Sequence, residues 1–316
     1  MVAVVAGIDE AGYGPRLGPL LVTAAAFEVP DDCADACLWE RLAAVVAKKA
    51  GDPERVAVDD SKRLFNQSIG PRHIERTALA FAAAAGLEPA TFRELLAAVA
   101  ETSDEPDAYP WYAGADFPVP LAAAPGQLAA DARRLREADG ARFLEVRAHP
   151  VLVGEYNRLV DSVGTKSATL FSKTALLLAR LWERYGQQGL VVHVDKHGGR
   201  DRYGLLLHQT FFGCWIKVLC EGRGESVYEV TGGTRRMRIG FYREGDSRHL
   251  PIALASIYSK YLRELFMRGF NAWWTAQVPG LRPTAGYAAD ANRFLRDIAA
   301  ARQSLGVDDR LLIRIA

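Results

Sequence analysis

The chain has 316 residues, of which 49% are hydrophobic and 24% charged, a composition typical of globular proteins with a sizeable core. Its formal net charge is only +1, so a nucleic-acid enzyme of this composition would have to concentrate Lys and Arg locally. No uninterrupted apolar run in the sequence is long enough to span a bilayer, and the N-terminal run lacks the basic flank of a signal peptide. We therefore expect a cytoplasmic protein without a membrane partner.

The sequence opens with a β-branched apolar run, residues 2–8, which predicts a central strand covered on both faces. Asp9 and Glu10 follow at its carboxyl end. Two neighbouring carboxylates repel each other and resist desolvation, so each pKa would be raised unless a cation compensates. Mg²⁺ is a natural compensating ion, because it binds carboxylates and can present a phosphate to an attacking water. The alternative is that the two acids begin an ordinary polar turn.

Gly12, Gly14 and Gly18 come after the acids, but they do not form a dinucleotide-binding fingerprint. Such a loop leads into a helix, whereas residues 20–27 predict a second strand, hairpinned to the first. Residues 34–50 then have the apolar spacing of a helix.

Residues 56–64 predict a short strand that runs into a polar turn. Asp60 or Ser61 can cap a helical turn after this strand, and Lys62 offers a mobile positive charge suited to a phosphate. The alternative is a solvated turn.

The middle of the chain predicts further elements of both kinds. Helices are predicted for residues 70–85, 151–163 and 165–185, and a strand for residues 143–146. Five prolines make residues 102–127 too long and proline-rich for an ordinary connection. Thr165 or Ser167 can cap the longest of these helices, whose first turn carries Lys166. The glycine spacing around Lys166 does not match a phosphate-binding loop.

Residues 190–195 predict a second apolar strand that ends in an acid, Asp195. Because this strand comes after a helix, it is a candidate for a parallel sheet whose carboxyl end holds the site, where Asp195 could meet Asp9. His193 and His197 offer an alternative metal site. Residues 226–241 alternate around a glycine turn and predict a hairpin. Its basic strand could follow a nucleic-acid backbone or form a solvated charged face.

An amphipathic helix begins at Pro251 and continues to about residue 267. Ser256, Lys260 and Glu264 recur every fourth residue and so share one face of it. The alternative to a functional role is an exposed Lys–Glu pair, worth a few tenths of a kcal/mol. Tyr287 lies further along, where the alternative is a tyrosine of the core or of a turn.

Several of these segments resemble the motifs of type 2 ribonuclease H (ribonuclease HII), and they occur in the order found in that family. The long helix of residues 165–185 and the strand ending at Asp195 are similar to the central helix and a strand of the family. The other matching stretches are Gly7-Ile8-Asp9-Glu10-Ala11-Gly12-Tyr13-Gly14, Asp60-Ser61-Lys62, Ala255-Ser256-Ile257 with Lys260, Arg263 and Glu264, and Gly286-Tyr287.

The resemblance implies an α/β protein with the ribonuclease H-like fold, a five-stranded mixed sheet flanked by helices with a helical C-terminal part. Residues 1–266 would form the catalytic domain and residues 267–316 a helical substrate-binding part. Relative to the family, residues 86–140 would be an insertion and residues 200–245 an extended hairpin. The alternation of strands and helices, with acids at strand ends, independently indicates the same architecture class.

The activity implied is endonucleolytic hydrolysis of the RNA strand of RNA–DNA hybrids, or of ribonucleotides embedded in DNA, with the 2′-hydroxyl as discriminator. Two Mg²⁺ or Mn²⁺ ions about 4 Å apart would activate water and stabilise the leaving 3′-oxygen. Their ligands would be Asp9, Glu10, Asp195 and Glu264. The residues implied in substrate binding are Gly12, Tyr13, Gly14, Lys62, Lys166, Lys260 and Tyr287. No protein partner can be inferred.

The chain departs from the family pattern at two of these positions. Tyr13 replaces an arginine, which exchanges a charged phosphate fork for a neutral ring. Glu264 replaces an aspartate and is one methylene longer. Two other functions therefore stay open: a nuclease of the same fold that acts on branched or single-stranded DNA, and a nucleic-acid-binding protein without turnover.

Overall fold

The computed structural model describes residues 2–66, 68–101 and 105–315. Its centre is a seven-stranded mixed sheet with the strand order β5-β2-β1-β6-β9-β8-β7. The sheet strands are Val2–Ala11 (β1), Leu20–Pro30 (β2), Arg142–Val151 (β5), Leu190–Asp195 (β6), Trp215–Glu221 (β7), Glu225–Gly232 (β8) and Arg235–Tyr242 (β9). Val46–Ala47 (β3) and Val56–Ala57 (β4) form a separate parallel pair.

Helices cover the sheet on both faces. They are Leu38–Arg41 (α1), Ser61–Leu64 (α2), Arg72–Ala84 (α3), Phe92–Val99 (α4), Pro125–Glu137 (α5), Val153–Val163 (α6), Lys166–Tyr185 (α7), Gly204–Thr210 (α8), Gly245–Arg248 (α9), Leu250–Gln277 (α10), Ala288–Asp297 (α11), Ala299–Ser304 (α12) and Asp309–Leu312 (α13). In the part of the chain that the structure describes, no helix is long and apolar enough to cross a membrane.

Strand β1 is the central strand that its apolar sequence predicts. It pairs antiparallel with β2 and parallel with β6, and β6 pairs parallel with β9. Alternate side chains enter two different cores: Val5 packs in the core that contains α10, whereas Val4 packs in the core that contains α7. The structure also confirms the predicted hairpin of β1 and β2, the cap of α7 by Thr165 and the start of α10 near Pro251.

The sheet is wider than the five strands expected. Strands β5, β2, β1, β6 and β9 form the mixed sheet, and the antiparallel strands β8 and β7 extend it beyond β9. This extension lies within residues 200–245, where the sequence predicts a hairpin of β8 and β9 but not β7. Every β7 position after Ile216 is exposed, so the strand lacks the apolar alternation that would have identified it.

The helix predicted over residues 34–50 is wrong. Only α1 is helical there, and the chain then turns into β3. Val45 and Val46 match a helical stripe, but Val46 pairs with Val56 of β4 and both are buried. The β-branched side chains fit this buried pairing, and tertiary contact decides the local structure.

Residues 86–101 and 105–140, the described part of the segment 86–140, pack against the rest of the fold. Trp111 and Tyr112 are buried, and the Trp111 ring lies 5.5 Å from Phe270 and 6.1 Å from Trp274 of α10, measured between ring centroids. Helix α10 is therefore enclosed between the sheet and this segment along much of its length.

Candidate active site

Asp9 and Asp195 lie side by side at the ends of two adjacent parallel strands. The parallel pairing of β1 with β6 ends at Ile8 opposite Val194, so each aspartate is the next residue of its strand. Strand β1 continues to Ala11 along β2, which places the acids where their parallel neighbour has ended. The sequence prediction that Asp195 meets Asp9 agrees with this register.

Helix α10 crosses the same face of the sheet as the Asp9 side chain. A Cβ on Gly7 would lie only 2.1 Å from the Pro251 carbonyl carbon, so the helix rests directly on the strand two residues before the acid. Ser259 Oγ lies 3.2 Å from the Asp9 carbonyl oxygen and 2.8 Å from Thr23 Oγ1. These contacts fix Asp9, whose side chain is buried.

Burial is the main cause that raises the pKa of all three acids of the two strands. Burial raises the pKa of Asp9 well above its ordinary value, with added repulsion from Glu10 and Asp195 and an opposing hydrogen bond from Ser256. Burial and the Asp195 charge raise the pKa of Glu10 to about 7. Burial also raises the pKa of Asp195 to about 6, although the Gly245 N–H donates to its Oδ1 at 2.8 Å. Such a group of carboxylates favours a bound cation.

Lys62 supplies positive charge to these acids. The Asp60 carboxylate caps α2 by accepting from the Lys62 N–H at 2.9 Å, which orients the start of that helix. The ammonium group is exposed, and its charge lowers the pKa of both Glu10 and Asp195. The ammonium group therefore lies close enough to the acids to contact a phosphate bound there.

Asp246 is a further acid of this region that the sequence analysis did not identify. It raises the pKa of Asp195, and its own pKa is raised by burial and by Asp60 and lowered by Lys62. The signal was present as an acid directly after Gly245 at the turn before α10, but one acid in a polar turn carries no specific meaning.

Glu264 occupies the expected face of α10, but its carboxylate is engaged by a cation. Lys260 Nζ lies 2.7 Å from Glu264 Oε1 and 4.5 Å from the centre of the Phe65 ring. Among residues 2–66, 68–101 and 105–315, no group of three or more His, Cys, Asp or Glu side chains is already arranged to hold a metal ion. Glu264 would have to leave Lys260 to join the other acids.

The glycine turn after β1 packs closely against Arg263 and Pro19. Gly12 has a positive φ of 86°, and a Cβ there would lie 2.7 Å from both Arg263 Nε and the Pro19 carbonyl oxygen. A Cβ on Gly14 would meet no atom within 4 Å, so of these two glycines only Gly12 is required by packing. The half-buried Tyr13 has a pKa raised by burial and by Glu10, and lowered by Arg200, a cation that the sequence analysis missed.

One open cavity of about 610 Å³ is lined by Tyr287 together with two predicted substrate-binding residues, Lys62 and Lys260, and the predicted metal ligand Glu264. Half of the Tyr287 side chain is exposed, and its ring centre lies 5.7 Å from the Arg263 guanidinium carbon. Lys166 lines a different open cavity, with Arg16 and Arg310 among its other residues. The structure therefore groups three of the predicted binding residues and separates Lys166 from them.

The two histidines near Asp195 do not converge on a metal site. His193 stacks on His249 with ring centres 3.8 Å apart, and burial lowers its pKa well below the ordinary value. His197 is enclosed, and its Nε2 lies 3.3 Å from Thr174 Oγ1. Burial lowers its pKa to about 3, which keeps the ring neutral.

No protein-family model and no curated protein matches the chain. Solved structures do. RNase HII from Archaeoglobus fulgidus, solved with PCNA, is 15% identical over 99% of this chain and 94% of its own, with a TM-score of 0.43. Ribonuclease H2 from Pyrococcus horikoshii OT3 is 12% identical over 98% and 92%, with a TM-score of 0.41.

A third match, Bst-RNase HIII in complex with Mn²⁺, is 16% identical over 99% of this chain and 66% of its own, with a TM-score of 0.48. These structures are ribonucleases H of the HII and HIII types, the family that the sequence motifs resemble. At identities and TM-scores this low, the likeness carries no argument about activity, which depends on the side chains described above.

Proposed function

We propose that the protein is a metal-dependent endonuclease that hydrolyses the RNA strand of RNA–DNA hybrids or ribonucleotides embedded in DNA, in the cytoplasm. One observation carries this proposal: Asp9 and Asp195 lie side by side where the pairing of β1 with β6 ends, with Glu10 next to Asp9. Burial raises the pKa of all three acids, and the Asp195 charge adds to the rise for Asp9 and Glu10. Buried carboxylates that repel each other lower the stability of the fold, so their presence at a strand end points to a cationic ligand.

The donor set fits hard divalent cations. Carboxylate oxygens are the ligands that Mg²⁺ and Mn²⁺ prefer, and no buried thiol or imidazole competes among the acids described above. Asp9, Glu10, Asp195 and Glu264 would hold two such ions. When bound, the ions would supply Lewis-acid activation of a water and stabilisation of the charge on the leaving oxygen.

The residues around the acids orient them. The Gly245 N–H fixes Oδ1 of Asp195 at 2.8 Å, which leaves Oδ2 for a ligand. Ser256 holds the Asp9 carboxylate, and its Oγ lies 3.1 Å from Ser61 Oγ at the start of α2. This link ties the acids to the helix that carries Lys62, so that a phosphate at the acids lies within reach of that ammonium group.

The nucleic acid would lie along the cavity that contains Lys62, Lys260 and Tyr287. The Tyr287 ring, half exposed, offers an apolar face to a ribose, as the sequence resemblance implies. Gly12 and Gly14 would allow the backbone of the turn to approach the 2′-hydroxyl. Residues 1–266 would act as the catalytic domain and residues 267–316 as the helical substrate-binding part.

The test is cleavage of three end-labelled duplexes with Mg²⁺ or Mn²⁺: one with a single embedded ribonucleotide, one continuous RNA–DNA hybrid and one all DNA. Wild type should cut only strands that contain ribonucleotides, and Asp9→Asn should lose at least about a hundredfold in rate. Cutting of the DNA duplex would instead indicate a nuclease with another substrate. Binding without cleavage of any duplex would indicate a nucleic-acid-binding protein without turnover.

A further inference from the structure

Arg314 contacts the glycine turn that comes after the first strand, although about 300 residues separate them in the sequence. Its side chain is 4% exposed. Nε donates to the Gly18 carbonyl oxygen at 2.9 Å, and Nη1 donates to the Gly12 carbonyl oxygen at 2.5 Å. Its backbone N–H donates to the Arg16 carbonyl oxygen at 2.9 Å. One residue thus holds both ends and the middle of residues 12–18.

The segment that carries Arg314 is itself fixed by Asn157 of α6. Asn157 Nδ2 donates to the carbonyl oxygens of Arg310 and Ile313, each at 2.8 Å. Its Oδ1 accepts from the Ile315 N–H at 2.9 Å. These bonds flank Arg314 on both sides, so the backbone that carries its side chain is also held by contacts outside the turn.

A second buried arginine approaches the same turn from α10. Arg263 is 1% exposed, and its Nη2 donates to the carbonyl oxygens of Leu17 at 3.2 Å and Ala285 at 3.0 Å. Burial and the charge of Arg263 lower the pKa of Arg314 to about 9, so Arg314 remains charged at neutral pH. A guanidinium is not deprotonated in proteins, so Arg263 is charged as well. Among the described residues, Arg314 Nη2 and Arg263 Nη1 are buried without a hydrogen-bond partner.

Two buried cations beneath one turn are costly unless something offsets their charge. Carbonyl oxygens and the face of Tyr156, whose ring centre lies 4.7 Å from the Arg314 guanidinium carbon, offset part of it. An anion on the outer side of the turn, at Gly12 and Gly14, would offset more of the positive charge. At these glycines no side chain would separate the anion from the arginines. The outer side of Gly14 is open, with no atom within 4 Å of a Cβ placed there.

We infer that Arg314 is a positioning residue for nucleic-acid binding: it holds the Gly12–Gly14 turn and, together with Arg263, gives the turn a positive potential toward a substrate phosphate. This inference rests on the proposed function for the identity of the ligand. The two arginines supply the positive charge that Tyr13, at the tip of the turn, does not carry. The arginines act through the turn and do not touch the substrate.

The test compares Arg314→Met and Arg314→Lys with Arg296→Met, a control on α11 whose side chain is exposed and lines neither of the two cavities described above. Two measurements are made in EDTA, so that neither depends on cleavage. Amide hydrogen exchange reports on residues 12–18 against residues 3–8 of β1. Fluorescence anisotropy gives the Kd for the duplex with one embedded ribonucleotide.

Arg314→Met should accelerate exchange in residues 12–18 about tenfold or more, with residues 3–8 unchanged, and should raise the Kd about tenfold. Arg314→Lys keeps the charge but loses the fork, so its exchange should resemble that of the Met variant while its Kd rises only about threefold. Arg296→Met should match wild type. For any variant that cleaves, the loss should appear in KM while kcat stays within about threefold.

An unchanged Kd in Arg314→Met, or equal acceleration of exchange in both segments, would overturn the inference and leave Arg314 a structural residue. If Arg314→Met does not fold, Arg314→Lys alone decides by the same two measurements. Failure of the proposed function is a separate result, because wild type would then bind the duplex without cleaving it, or would not bind it at all. In the second case the inference fails with it, since no nucleic-acid phosphate is recognised.

Discussion

Lys260 Nζ lies 2.7 Å from Glu264 Oε1, one turn apart on α10, and both residues line the cavity that Lys62 also lines. The two side chains are only 17% and 27% exposed, so the pair is partly shielded from water. The acid that the sequence motif marks as a metal ligand is thus held by an ammonium group. Metal binding by Glu264 requires this ion pair to open.

The competition between Lys260 and a metal ion gives the first prediction. Lys260→Met should lower the Mn²⁺ concentration for half-maximal cleavage by about two- to fivefold, because a pair of this kind is worth up to about 1 kcal/mol. Glu264→Gln should raise it and lower the maximal rate. The measurement is a Mn²⁺ titration of cleavage at saturating duplex, since Lys260 is also a proposed substrate contact. An unchanged midpoint in Lys260→Met would remove Glu264 from the ligand set.

Gly7 controls how closely α10 approaches the sheet. In Gly7→Ala the new Cβ would lie 2.1 Å from the Pro251 carbonyl carbon, and backbone must move to relieve the clash. We expect the free energy of unfolding to fall by about 3 kcal/mol, measured by urea denaturation. Gly14→Ala is the matched control, with no atom within 4 Å of its Cβ, and should change stability by less than about 0.5 kcal/mol. Equal losses would mean that α10 does not rest on Gly7.

Glu75 anchors the segment of residues 86–140 to the core. Its buried carboxylate accepts from the N–H groups of Leu121, Ala122 and Ala123 at 2.7, 2.6 and 2.8 Å, and from the Tyr261 hydroxyl at 2.9 Å. Glu75→Gln turns one acceptor into a donor opposite these donors, so the free energy of unfolding should fall by about 2–3 kcal/mol.

The measurement for Glu75 is thermal and urea unfolding, with the exposed Glu88→Gln as control. The control should unfold like wild type, because its side chain is in water. A Glu75→Gln protein as stable as the control would show that these hydrogen bonds do not hold the segment.

His149 predicts a pH dependence of stability away from the acid site. Burial is the main cause that lowers its pKa below the ordinary value of 6.5, and Lys173 lowers it further. Contact of Nδ1 with the Glu101 carbonyl oxygen, 3.1 Å away, offsets part of this shift. Below about pH 6.5 the unfolded chain therefore binds a proton at His149 more tightly than the folded chain does. The contribution of His149 to stability is fully present above that pH and declines as the pH falls.

Urea midpoints at pH 7 and pH 5 test this sign. Wild type should lose more stability over the interval than His149→Gln, which cannot take up the proton. Parallel losses in the two proteins would mean that the His149 pKa is the same in the folded and unfolded chains.

Local patterns in the sequence were sufficient for the elements that hold the acids. The apolar run before Asp9 and the strand ending at Asp195 predicted β1 and β6, because a buried parallel strand has a composition that few other structures share. Thr165 and Pro251 marked the starts of α7 and α10 by capping and by the fixed φ of proline. The side-by-side position of Asp9 and Asp195 resulted from these elements.

Long-range contacts explain the features that the sequence did not predict. Val46 belongs to a β pair only because Val56 is there to receive it. Arg314 lies about 300 residues from Gly12, and no local pattern joins them. The ion pair of Lys260 with Glu264 was visible as helical spacing, but whether Glu264 faces a cation or the other acids depends on tertiary packing.

The most direct test of the account is the chemistry of the cleaved ends. Mass spectrometry of the products from the duplex with one embedded ribonucleotide, made with Mg²⁺ or Mn²⁺, identifies both new termini. Attack by water with a 3′-oxygen leaving group predicts a 3′-hydroxyl and a 5′-phosphate, formed at least about a hundredfold more slowly by Asp9→Asn. A 2′,3′-cyclic phosphate, or equal cleavage by Asp9→Asn, would contradict the assignment of these acids to metal-dependent hydrolysis.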